Sequence, residues 1–185
     1  MNEIDEYYNR LLQAYNNDDI LYCDNTDRLH NAAIMRLMLE KGSEIMMYCG
    51  EMSIFRDVFY NEIAKDSPEE AKIWKKYIKD ALTAYLSCGT KKLEIVMENY
   101  NPDILNDFLL SKDEIANLPI SIYQLPESIG NKSDIQHFSL TSDEKIVRLE
   151  TAKKDHTAIC KIGFDDTETS PKANFLKLKN LAQAV

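Results

Sequence analysis

The sequence predicts a single α/β domain: a mixed β-sheet packed between helices. Three observations carry that expectation. Short apolar runs at 20–23, 44–50 and 93–97 alternate with stretches of helical periodicity, the order that builds parallel crossovers. Later runs at 136–140, 145–149 and 157–162 have gaps too short for a helix, which points to antiparallel pairs. A chain of 185 residues, 44% hydrophobic and 29% charged, is long enough to bury one core. A sheet between helical layers is the expected packing.

Residues 3–16 place Ile4, Tyr7, Tyr8, Leu11, Leu12 and Tyr15 at helical spacing, and Asn16–Asn17–Asp18–Asp19 ends that helix. Residues 1–17 therefore read as an N-terminal amphipathic helix ahead of a domain at 18–185. Ile20–Cys23 is a candidate buried strand, and Asp24–Asn25–Thr26–Asp27 offers turn and cap residues. A helix through Ala32, Ala33, Ile34, Leu37 and Met38 closes at Lys41–Gly42. Glu44–Gly50 is a second strand, and a helix from about Ser53 puts Ile54, Phe55, Val58, Phe59 and Ile63 on one face. Both strands read as buried on two faces, as in a parallel sheet.

Ser67–Pro68–Glu69–Glu70 opens a helix with a cap, a first-turn proline and acids that complement the dipole. It carries Ile73, Trp74, Tyr77, Ile78, Leu82 and Tyr85 and stops at Gly89. Leu93–Met97 is a third strand, 102–117 fits a helix, and Ile120–Tyr123 is a fourth strand. A loop at 124–134 precedes the three late strands. Ser170–Pro171 then caps a last helix with Phe175, Leu178, Leu181 and Ala182 inward.

The net charge is −9, with 13 acids and 6 bases in residues 1–66 but equal numbers in 134–185. An acidic chain is repelled by phosphate backbones, which argues against a stand-alone DNA binder. Lys72, Lys75, Lys76 and Lys79 line one side of a helix, either as phosphate contacts or as a solvated face. The acidic start lacks the pattern of a secretory signal, and no apolar run is long enough for a membrane helix. Four widely spaced cysteines, 23, 49, 88 and 160, read as free thiols in a reducing cytoplasm.

No glycine-rich phosphate loop, HExxH or GxSxG is present, and no cofactor is implied. Cys23 and Cys49 fall near strand ends that precede helices, where a thiol is activated; the alternative is plain burial. Asp24 and Asp27 read as turn and cap residues rather than metal ligands, and no metal site is expected. His156, beside Lys153 and Lys154, reads as a turn residue.

The segment Asp134–Ile135–Gln136–His137–Phe138–Ser139–Leu140–Thr141–Ser142–Asp143–Glu144, continuing through Glu150, resembles a phospholipase D-like domain. So do Ile20–Asn25 and Ile45–Ser53, and the likeness of pattern spans most of 18–185. In that family a strand His is followed two positions later by Lys and five after that by Asp. The His attacks phosphorus, the Lys stabilises phosphate charge, and the Asp tunes the paired His. A single-motif member must pair two chains. Here only His137 matches; the Lys position is Ser139 and the Asp position is Glu144. Losing the cation removes electrostatic stabilisation where negative charge develops.

The resemblance thus implies a degenerate domain. It suggests a non-catalytic binding or assembly subunit of a bacterial complex, in nucleic-acid processing or antiphage defence, beside partners such as a nuclease or ATPase. Tyr7, Tyr8, Tyr15, Trp74 and Tyr77 are candidate contact residues, the alternative being that these rings complete the domain's own core. The alternative is a homodimeric phosphodiesterase using His137, with Ser139 and Glu144 as helpers and a cation from Lys145, Lys161 or Arg148. A third reading is a small-ligand or nucleotide sensor at the strand ends, near Asp24, Asn25, Gly50 and Ser53.

Overall fold

A computed structural model describes residues 3–115, 118–129, 132–152, 157–163 and 170–185. Helices are α1 (Glu3–Asn17), α2 (Arg28–Lys41), α3 (Asp57–Ile63), α4 (Pro68–Ser87), α5 (Lys112–Ile115) and α6 (Pro171–Leu181). Strands are β1 (Leu21–Asn25), β2 (Glu44–Cys49), β3 (Lys92–Met97), β4 (Ile120–Gln124), β5 (Phe138–Thr141), β6 (Ile146–Ala152), β7 (Thr157–Ile162) and β8 (Gln183–Ala184). They form one mixed sheet in the order β1-β7-β6-β5-β2-β3-β4-β8. β2, β3 and β4 are parallel, and every other pairing is antiparallel.

Register sorts the side chains onto two faces. Ile45, Met47, Leu93, Ile95, Met97, Ile146, Cys160 and Ile162 join the large core beneath α1–α4. Met46, Tyr48, Val96, Phe138, Leu140 and Val147 meet Phe175 and Leu178 of α6 on the other face. α2 is central: it packs against α1 and α4 and buries Ala32, Ala33, Ile34, Met35, Leu37, Met38 and Leu39, which is why apolar residues surround it. Gly42 follows α2 with an ordinary negative φ. It is required for space, since a Cβ would stand 2.8 Å from both the Met38 carbonyl and Thr141 Cγ2. α6 is clamped to the sheet by Lys179 Nζ, 2.5 Å from Glu94 Oε1; Lys92 Nζ is 2.6 Å from the same oxygen. Among the described residues no helix is long and apolar enough to cross a membrane.

The α/β class, the mixed sheet and the late antiparallel strands follow the sequence reading; several details do not. β1 is an edge strand antiparallel to β7, with Tyr22 and Asp24 exposed, and three strands separate it from β2. The segment from Ser53 is not one helix. Met52 adopts a left-handed φ of 56°, Ser53–Phe55 form a 3-10 turn, and Arg56 is extended before α3 begins. Arg56 bridges to Phe108, while Leu109 N donates to Phe55 O at 2.8 Å and Asp57 N to Asp107 O at 2.7 Å. That pairing also explains why 102–117 is no continuous helix: the backbone at 107–109 bonds to 55–57 instead of to itself, leaving a 3-10 turn at Pro102–Asn106 and the four-residue α5. Val58 and Leu181 are exposed, not inward, and Ser67 makes no side-chain cap bond.

Candidate functional site

Four strands deliver the site to one end of the sheet. β2 ends at Cys49, followed by Gly50; β3 ends at Met97, followed by Glu98. β5 runs the opposite way, so His137, just before it, lies at the same end beside Tyr48 and Phe138. β6 brings Arg148 and Glu150 alongside, with Glu150 N donating to His137 O at 2.8 Å.

His137 stands between two carboxylates. Its Nδ1 is 2.7 Å from Glu150 Oε2 and its Nε2 is 3.1 Å from Glu98 Oε1. Tyr48 meets the imidazole edge-on at 5.5 Å, and its hydroxyl donates to Glu98 Oε1 at 2.8 Å. Burial, with the Glu98 hydrogen bond, raises the Tyr48 phenol far above its usual range. Arg148 Nη2 lies 3.7 Å from Glu150 Oε1, and its Nε donates to Asn31 Oδ1, which also accepts from Asn25 Nδ2 at 2.7 Å.

The His137 contacts have ion-pair length without hydrogen-bond alignment, so buried Nε2 and Glu150 Oε2 form no hydrogen bond among the described residues. A neutral imidazole has one N–H and one lone pair, whereas an imidazolium has two donors. Nucleophilic attack needs a free Nε2 lone pair. In this arrangement that lone pair either faces the Glu98 carboxylate or carries a proton.

Beside the imidazole opens a cavity of about 360 Å³. Met35, Met47, Met52, Ile54, Val58, Phe59 and Phe138 supply apolar wall; His137, Ser139, Asn31, Arg148 and Glu150 supply polar lining; Arg28, Glu51 and Glu62 also line it. No lysine does. An apolar pocket with a few convergent polar groups is the usual form of a small-ligand site. Among the described residues no group of three or more His, Cys, Asp or Glu is placed to hold a metal ion.

The sequence-predicted residues divide. His137, Ser139, Gly50 and Ser53 line the cavity, and Asn25, fully buried, stands one hydrogen bond behind it through Asn31. Asp24 is exposed and outside the lining, and Asp27 caps α2 by accepting from His30 N at 2.9 Å. Glu144 lies outside the cavity lining: it sits in a turn at φ 56°, and its Oε1 accepts from Ser170 Oγ at 2.7 Å and Lys172 N at 3.1 Å, tying down the start of α6. Of the candidate cations only Arg148 reaches the cavity. Lys145 pairs with Asp18 at 2.5 Å, and Lys161 shares the opposite face of the sheet with Val147.

Tyr7, Tyr8 and Trp74 are buried in the chain's own core and present no contact surface; α1 and α4 need these rings to seal against α2. Tyr15 is half-buried and Tyr77 exposed, with Arg36 stacked on the rings of Tyr8 and Tyr77 at 4.3 and 4.4 Å. Lys75 and Lys76 pair with Asp57 and Asp80, and none of Lys72, Lys75, Lys76 and Lys79 lines the cavity. Burial pushes the Cys49 thiol up to about 12, which disfavours its thiolate at neutral pH. His156, Lys153 and Lys154 lie outside the described residues. Glu98 and Asn31 were not anticipated. Glu98 has a legible signal, a carboxylate just past an apolar strand; Asn31, inside a helix, has none.

No family model matches the sequence, and no curated protein matches it. The fold is similar to the crystal structure of a phospholipase D family member, Nuc from Salmonella typhimurium. The TM-score is 0.53 at 11% identity, over 90% of this chain and 97% of that one. The chain has a phospholipase D-like fold.

Proposed function

We propose that the chain is a binding domain on a phospholipase D-like fold, serving as a subunit of a larger assembly and not hydrolysing phosphodiesters. The observation that carries this reading is the carboxylate on each side of His137. Glu98 stands 3.1 Å from Nε2, where an attacking lone pair would need an open approach to phosphorus. Ser139 occupies the position where the family resemblance calls for a cation, and a phosphate would meet three carboxylates, Glu51, Glu62 and Glu150, against two arginines, Arg28 and Arg148, at the same cavity. Repulsion there opposes the charge development that hydrolysis requires. For an assembly role the support is the β1 edge of the sheet. Ile20, Tyr22 and Ile159 are all substantially exposed there, and edge strands are ready templates for partners.

One observation favours phosphodiester hydrolysis instead. Glu150 stands 2.7 Å from Nδ1, on the side where the supporting carboxylate of a nucleophilic His would stand. The test is hydrolysis of bis(4-nitrophenyl) phosphate and of single- and double-stranded DNA, on fractions whose mass is measured by light scattering. The expected result is no turnover above that of His137→Ala. A dimer whose activity disappears in His137→Ala would overturn the binding reading and establish the enzyme.

A further inference from the structure

Cysteines that lie 137 positions apart in sequence are neighbours in the fold. β1 and β7 are antiparallel, and their register sets Cys23 directly opposite Cys160. Both are buried, both are free thiols, and both point into the core face. Directly opposed residues of an antiparallel pair have Cα atoms about 4.5–5.5 Å apart, inside the roughly 4.4–6.8 Å that a disulfide spans. The local contacts agree: Cys23 Sγ donates to the Cys160 carbonyl at 3.8 Å and shares a 3.5 Å hydrogen bond with the Tyr7 hydroxyl.

We propose that Cys23 and Cys160 are a latent cross-strand disulfide, closed by hydrogen peroxide, that pins the edge strand β1 to β7. Cys23, 8% exposed where Cys160 is fully buried, is the thiol that an oxidant reaches and so the attacking one. Hydrogen bonds from Cys160 and Tyr7, with the nearby Arg10 charge, pull it down, while burial pushes Cys160 up. The Cys23 thiolate attacks a peroxide oxygen, the O–O bond breaks, and the hydroxide that leaves takes up the proton the thiol had released, giving a sulfenic acid and water. Cys160 sulfur then attacks the Cys23 sulfur, and the hydroxyl leaves with the Cys160 proton as a second water. Two thiols and one peroxide give one disulfide and two waters, and the two electrons pass from sulfur to oxygen.

The pair also touches the polar chain behind the cavity. Asn25 Nδ2 lies 3.6 Å from Cys160 Sγ and 2.7 Å from Asn31 Oδ1, which accepts from Arg148. Oxidation removes a thiol from one end of the chain whose other end faces Glu150. The disulfide itself is independent of the binding reading above, because no group in it belongs to the His137 contacts.

Cys88 is exposed and would react first, so the test uses a full-length Cys88→Ser chain. It is treated with hydrogen peroxide while folded, then unfolded, alkylated with N-ethylmaleimide, digested and weighed. The expected product is a Cys23–Cys160 cross-linked peptide lighter by two hydrogens than the two free peptides, reversed by dithiothreitol and absent from Cys160→Ala. In the oxidised chain the β1 amides should exchange at least tenfold more slowly than in the reduced chain. Full alkylation of both cysteines after peroxide, or Cys23 recovered only as sulfinic acid, would overturn the proposal. Cys23→Ala is the second variant: if Cys160→Ala fails to fold, loss of the cross-link there carries the same test.

Discussion

His137→Ala is the substitution that most directly separates a clamp from a catalytic residue. The imidazole stands 2.7 Å from Glu150 and 3.1 Å from Glu98, carboxylates whose side chains are 7% and 13% exposed. Without the ring they face each other across the vacated space, with Arg148 3.7 Å from Glu150 and Lys132 Nζ 3.0 Å from the Glu98 carbonyl. For a charged imidazole, removing one partner of a buried pair costs about 3–5 kcal/mol. The Arg148 contact and the 19% exposure of the imidazole place the expected loss at the lower end, about 3 kcal/mol. With a urea slope of about 2 kcal/mol/M, the unfolding midpoint falls by about 1.5 M. Fluorescence of Trp74, the single tryptophan and 1% exposed, reports the transition. Glu98→Gln and Glu150→Gln each remove one negative charge and should lose less than His137→Ala. A histidine retained for chemistry behaves oppositely, since its removal is neutral or stabilising. A loss below about 1 kcal/mol at unchanged slope would refute the clamp argument.

Three further outcomes are expected. Burial acts to raise the Glu94 carboxyl, but the hydrogen bonds from Lys179 and Lys92 outweigh it and hold it below the usual carboxylate range. Its stabilisation is therefore complete above the unfolded pKa and lost as pH falls through the folded one. In Lys179→Met, urea titrations at neutral pH should show about 1.5–3 kcal/mol lost, with a shallower decline in acid than wild type; an unchanged acid limb would show that Glu94 does not report on α6. Glu144→Gln should cost about 1 kcal/mol by weakening the bonds at the start of α6, while the His137 ring resonances, followed by NMR, stay in place. Gly163→Ala should destabilise far more than Gly89→Ala. Both glycines have positive φ, but a Cβ at 163 would stand 2.6 Å from Asp19 O, whereas none at 89 meets any atom within 4 Å. Similar thermal shifts for the two would contradict that packing.

The catalytic-motif comparison shows where one-dimensional spacing misleads. Counting from His137 lands on Ser139 and Glu144 as if both belonged to one site. In space β5 carries Ser139 into the cavity lining and ends, so Glu144 falls in the turn at the far end of the strand and serves α6. The carboxylates that do meet the imidazole come from the end of β3 and from β6. The same holds for the cysteines: wide separation in sequence argued against pairing, and the β1–β7 register put two of them face to face.

Local pattern alone was enough for the α/β class, for the existence of β2, β3 and β4, and for the late antiparallel strands. Periodicity and capping act over a few residues and are written in the chain. Tertiary structure alone decided that β1 is an edge strand, that residues 55–57 pair with 107–109 and break two helices, and that Tyr7, Tyr8 and Trp74 face inward. It also decided which polar groups converge on His137. Those choices depend on which distant surfaces bury each other and which backbone groups find partners across the fold. Neither is fixed by the residues on either side of a position.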